Sequence, residues 1–75
     1  MNNLQLHPTI LRLKAFRESR GFSQTELAEI IGVDHNSIYR WESGLRSPRD
    51  LKILELAIDT LEIRYKKPEN FSKND

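Results

Sequence analysis

Residues 24–43 read QTELAEIIGVDHNSIYRWES, and the spacing of their apolar and polar positions decides the fold. Ser23 is placed to act as N-cap of a short amphipathic helix. Glu26, three residues on, completes a capping box in which each side chain satisfies a free backbone N–H of the other residue. The helix therefore starts at Gln24. Leu27, Ala28 and Ile31 form one buried stripe, while Thr25, Glu26 and Glu29 face water. Ala28 leaves room for a second helix crossing close by. Gly32 ends the helix, because a positive φ is cheap only without a Cβ, and Val33 packs inward in the turn.

The spacing predicts a second helix with Asp34 as N-cap, running from His35 to about Ser43, where Gly44 stops it. At the helical period Ile38, Trp41 and Leu45 share one side, and Asn36, Tyr39, Arg40 and Ser43 share the other. Trp41, the single tryptophan, is expected to anchor the centre of the core. The polar side is rich in hydrogen-bonding groups. Asn36 offers the donor and acceptor pair that matches adenine, Arg40 the fork that matches guanine, and His35 can donate or accept near the helix start. Tyr39 stands among them. A short polar face is ordinarily just a solvated surface. Here it carries no acid, in a chain with 12 Lys and Arg against 11 Asp and Glu, and a carboxylate would be repelled by phosphate.

The helix before this pair is PTILRLKAFRESRG, residues 8–21. Pro8 suits its first position, Gly21 its end, and Ile10, Leu13 and Phe16 its apolar face. Arg17 falls in the same stripe. A buried charge is costly unless paired, and Glu42 lies at the edge of the buried side of the following helix, so an Arg17–Glu42 ion pair is expected. The alternative is that the long Arg17 stem carries its charge out to water.

At 75 residues the chain has room for one small domain. It has no Cys and only two His, His7 and His35, so disulfides and thiolate metal sites are excluded and no metal or cofactor is expected. No apolar run is long enough for a membrane and the N-terminus lacks a leader pattern, which reads as a cytoplasmic protein. No Gly-rich phosphate loop or nucleophile beside a base points to catalysis. The net charge of +1 is low for a protein that holds DNA by charge alone. Its distribution is uneven: Arg40, Arg46 and Arg49 gather around the polar helix, and Glu55, Asp59 and Glu62 lie further along. Two weak modules acting together on paired half-sites would make up for low charge.

Ser47 and Pro48 suit the N-cap and first position of a last helix that runs to about Tyr65, before Pro68. Leu51, Leu54, Ile58, Leu61 and Tyr65 form one stripe, and Ile53, Leu56, Ala57 and Ile63 extend it around the circumference. One face closes the core. The other is expected to meet a second copy, with Ile53, Leu56 and Ile63 in the interface, unless the domain wraps around the helix on both sides. Residues 1–8 form an arm, in which Leu4 and Leu6 cover either the core or the dimer surface. Residues 9–66 form the domain. Residues 67–75 form a polar tail, expected to be largely disordered although Phe71 could dock.

The segment GFSQTELAEIIGVDHNSIYRWESGLRSP, residues 21–48, resembles the Cro/cI-type, or Xre-type, helix-turn-helix family. There a G-x-S-Q-x-x-L-A-x-x-x-G-V stretch precedes the recognition helix and W-E-x-G-x-x-x-P follows it. The likeness covers about residues 10 to 61. It implies an all-α, lambda-repressor-like DNA-binding domain of four helices, five at most, that regulates transcription on operator DNA, commonly as a dimer. It also implies that Gln24 holds a phosphate and that His35, Asn36 and Arg40 sit at base-contacting positions. Ser37, Ser43 and Arg46 match places that meet the sugar-phosphate backbone. Family members often pair an arginine and a glutamate at the positions of Arg17 and Glu42. The chain departs from the family after the motif: the last helix is longer, and LEIRYKKPENFSKND shows no fifth helix. The reading is thus a repressor of an inverted-repeat operator, bound to double-stranded DNA as a homodimer. The rival is an adaptor or antitoxin that mainly holds a partner protein.

Overall fold

Pro8, with its fixed φ and missing N–H, opens the first of four helices in the computed structural model, which describes residues 6–66. They are α1 (Pro8–Arg20), α2 (Gln24–Ile31), α3 (Ser37–Glu42) and α4 (Leu51–Arg64). The N-cap of α1 is His7, whose Nδ1 accepts from the Thr9 N–H at 3.0 Å. At the far end Gly21 takes φ 76° and returns its N–H to the last carbonyls of the helix. The start and end of α2 match the sequence reading. Ser23 and Glu26 form the reciprocal capping box, and Gly32 closes the helix at φ 93°.

Two expected helix starts are corrected. α3 begins at Ser37 rather than His35, because Asp34 spends its carboxylate on the Asn36 N–H (3.1 Å) and its carbonyl on the Ser37 N–H (2.9 Å). This local turn competes with the helix for His35 and Asn36. α4 begins at Leu51, with Asp50 rather than Ser47 as its cap. One Asp50 carboxylate oxygen accepts from both Lys52 and Ile53 N–H, at 3.0 and 3.1 Å, and so satisfies two orphan donors at once.

Each helix sends one large side chain into the centre of the core: Leu13 from α1, Leu27 from α2, Ile38 from α3 and Ile58 from α4 are fully buried. Ile10, Phe16, Ala28, Leu54 and Leu61 surround them. Leu6, Val33, Leu51 and Tyr65 pack on the outside of this cluster. For Leu6 this decides in favour of the core, while Leu4 and Phe71 lie outside the described residues. Trp41 is only partly buried and packs against the core from its edge. The four aliphatic side chains already fill the centre, so the larger indole stays at the rim. Leu45, expected beside Ile38, is 68% exposed. Gly44 at φ 77° turns the chain, and the Leu45 and Arg46 N–H groups fold back onto the Arg40 carbonyl.

α1 contacts both α3 and α4, and α2 contacts α3. The α1–α4 seam is fastened by polar groups. The buried Thr9 hydroxyl donates to Glu55 at 2.8 Å, and Arg12 bridges Asp59 at 2.6 Å and Glu62 at 2.8 Å. The two carboxylates, hydrogen-bonded to the Arg12 guanidinium, raise its pKa further above the ordinary arginine value. Arg20 lies 5.3 Å from the centroid of the Phe16 ring and donates to the Tyr65 carbonyl at 2.7 Å, which ties the end of α1 to the end of α4. Phe22 and Tyr65 meet edge to face at 5.3 Å beneath it. Truncating Ile58 should leave a hole in the core cluster. Ile58→Ala is expected to cost about 3 kcal/mol, read as a lower urea midpoint with an unchanged denaturant slope.

Candidate nucleic-acid interface

Glu42, the last residue of α3, has a side chain only 4% exposed, yet it carries a carboxylate. Arg17 reaches it from α1 as a fork. Its Nε donates to Oε2 and its Nη2 to Oε1, both at 2.9 Å. The third arm, Nη1, donates to the Phe22 carbonyl at 3.0 Å, and Gln24 Nε2 at the start of α2 donates to Glu42 Oε1 at 2.8 Å. One carboxylate thus joins α1, α2 and α3. The planar guanidinium matches both of its oxygens, a geometry an ammonium could not supply. Hydrogen bonding to Glu42 raises the Arg17 pKa, against the opposing effect of burial. A raised cation pKa contributes stability that is fully present below the ordinary arginine value and is lost only as pH climbs past the raised one. Arg17 therefore stays charged through the neutral range.

α2, the turn at Gly32 and α3 stand in the arrangement that the sequence suggested. Ala28 is fully buried, and both the Gly32 and Val33 N–H groups return to its carbonyl, at 2.8 and 2.9 Å. α2 and α3 are in direct contact. A family model described as Helix-turn-helix matches residues 13–58. The chain belongs to the Cro/cI-type helix-turn-helix family. Two relatives, provisionally named as HTH-type transcriptional regulatory proteins, come from Pyrococcus furiosus and Pyrococcus horikoshii. Each is 52% identical over 33 residues, which is 44% of this chain and 10% of the relative's own length. No solved structure matches the chain with significance.

In this helix-turn-helix unit the candidate contact residues fall into three groups. Tyr39 and Arg40 project from α3 and are exposed, Tyr39 by half. His35 and Asn36 are also exposed but lie in the turn before α3, not on its first helical turn. Ser37 opens α3, Ser43 follows it, and both are half-buried, while Arg46 is exposed in the loop beyond Gly44. Gln24 is half-buried, with one amide hydrogen committed to Glu42. One acid lies beside this face, on α2 rather than on α3. Glu29 on α2 brings Oε2 to 3.2 Å from His35 Nε2 across the Gly32 turn. The two residues lie six apart in sequence and meet only because the turn folds α2 back toward the start of α3. The Phe22 carbonyl as a partner of Arg17 was equally invisible in the residue pattern.

Removing one half of a buried pair strands the other. Arg17→Met should cost about 3 kcal/mol by leaving Glu42 with Gln24 alone, and adding Glu42→Leu should recover much of it, since a matched apolar pair has no stranded charge. Thermal or urea unfolding of the two variants measures both effects.

Proposed function

We propose that this chain is a sequence-specific DNA-binding transcriptional regulator, most simply a cytoplasmic repressor that lays residues 35–43 in the major groove of an inverted-repeat operator as a homodimer. The observation that carries the reading is a recognition helix clamped from below by Arg17 and Gln24 through Glu42, with its hydrogen-bonding side chains outermost. Bidentate groups of the Asn and Arg type discriminate bases only when the backbone that carries them is fixed. In this reading His35, Asn36, Tyr39 and Arg40 meet base edges. Gln24, Ser37, Ser43 and Arg46 meet the sugar-phosphate backbone, with Gln24 using the amide hydrogen that Glu42 leaves over. The names of the relatives, which speak of transcriptional regulation, point the same way. No helix among the described residues is long and apolar enough to cross a membrane. Action through binding needs no catalytic group.

The low net charge of +1 favours two copies acting together. Ile53, Leu56 and Ile63 stand 63%, 60% and 76% exposed on the side of α4 away from the core. With Thr60 they repeat at intervals of three, four and three residues, the seam of a two-stranded helix pair. An apolar groove of about 300 Å³, lined by Ile31, Val33, Trp41, Ile53 and Ala57 among others, adjoins that seam. The same exposed face is what favours the second reading, in which the chain holds a different protein.

Selection from a random duplex pool should return a short inverted repeat with half-sites about one helical turn apart. Arg40→Ala should relax one base position per half-site at a cost of about 1 to 3 kcal/mol, whereas Gln24→Ala should weaken every duplex alike. Sedimentation should show a dimer at high micromolar concentration that Leu56→Glu converts to monomer; a parent that stays monomeric would leave the α4 face to another partner.

A further inference from the structure

The Glu29–His35 contact has a geometry that bears on recognition. Both side chains are 62% exposed, so neither supports the core. The imidazole atom held at 3.2 Å is Nε2, the outer nitrogen of the ring and the one with the longest reach from the backbone. Nδ1, next to the main chain, is the nitrogen left over. The carboxylate therefore lies against the tip that a base edge would need. We infer that Glu29 is an internal competitor for His35, holding the imidazole in the free protein and giving it up only when a base engages it.

The inference rests on the DNA-reading role proposed above for His35, and it adds a residue that the base-contact and phosphate-contact sets do not include. Two physical effects follow from the competition. A duplex must break the His35–Glu29 contact before His35 can read a base. The carboxylate it leaves then lies close to a polyanion without its former partner. A base able to hydrogen-bond His35 Nε2 repays both costs, and a base that cannot repays neither. Discrimination in this scheme comes from an unfavourable element against the wrong partner as much as from an attractive one toward the right partner. A carboxylate that instead positioned His35 for the base would hold the inner nitrogen and leave Nε2 free, the opposite of what is seen.

The test is a double-mutant cycle over Glu29→Ala and His35→Ala, with affinities for the selected duplex and for a scrambled duplex at one fixed salt concentration. Melting temperatures of all four proteins should agree closely, because both side chains are exposed. Contacts between exposed polar side chains are weak, so Glu29→Ala should tighten binding to the selected duplex by only about two- to five-fold per half-site. That gain should be clearly smaller when His35 is already alanine, where only the relief of phosphate repulsion remains. An equal gain in both backgrounds would mean simple charge repulsion and would overturn the competition, as would no gain or weaker binding. Failure of the underlying DNA-reading role looks different: the parent itself would fail to distinguish the selected duplex from the scrambled one.

Discussion

The rest of the structure depends on the nearly buried carboxylate of Glu42 and the fork of Arg17 that answers it. α3 has only six residues, far fewer than a helix needs to be stable by its own backbone hydrogen bonds. It has no side-chain cap hydrogen bond at its start, and its end is closed by Gly44 at φ 77°, with the Gly44 and Leu45 N–H groups returned to the Trp41 and Arg40 carbonyls. What fixes its place in the domain is tertiary. Ile38 pins its middle into the core, and Glu42 pins its end to α1 and α2 through Arg17, the Phe22 carbonyl and Gln24. An ion pair at such a site gains little net energy over a well-packed apolar pair, since both charges lose their water. Its contribution is directional. A bidentate contact allows one orientation of α3, where an apolar contact would tolerate several.

The near-neutral net charge conceals a division of labour. On the α1–α4 side, Glu55, Asp59 and Glu62 are each engaged by Thr9 or Arg12. These acids close a seam and lie on a different helix from the polar face. Around α3 and the loop after it, Arg40 and Arg46 remain exposed. Among the described residues, Glu42, Glu55, Asp59 and Glu62 are engaged in fastening helices, while Arg40 and Arg46 stand free of ion pairs at the surface. Glu29 is placed differently. It sits at the margin of the polar face, where its contact with His35 puts a carboxylate beside the exposed arginines.

Much of this was legible in the residues. The α2 boundaries follow from Ser23, Glu26 and Gly32 because those determinants act within one turn of chain. The buried stripes of α1 and α4 follow from helical periodicity. Misreadings arose where two local signals competed. Asp34 could cap a helix or close a turn, and Ser47 and Asp50 could each cap α4; the residue satisfying more backbone donors prevailed. Trp41 was misjudged for a different reason. Periodicity places a residue on a side of a helix but not at a depth, and depth depends on the volume left by Leu13, Leu27 and Ile58 from three other helices.

The sequence by itself determined that the chain is all-helical, where α1 and α2 start and stop, and which faces of α1, α2 and α4 turn inward, because capping, glycine geometry and periodicity are short-range properties. Tertiary structure alone decided the rim position of Trp41, the polar fastening of α1 to α4 and the meeting of Glu29 with His35. Those features join groups from different helices, and no short-range rule fixes how far apart two helices bring their side chains.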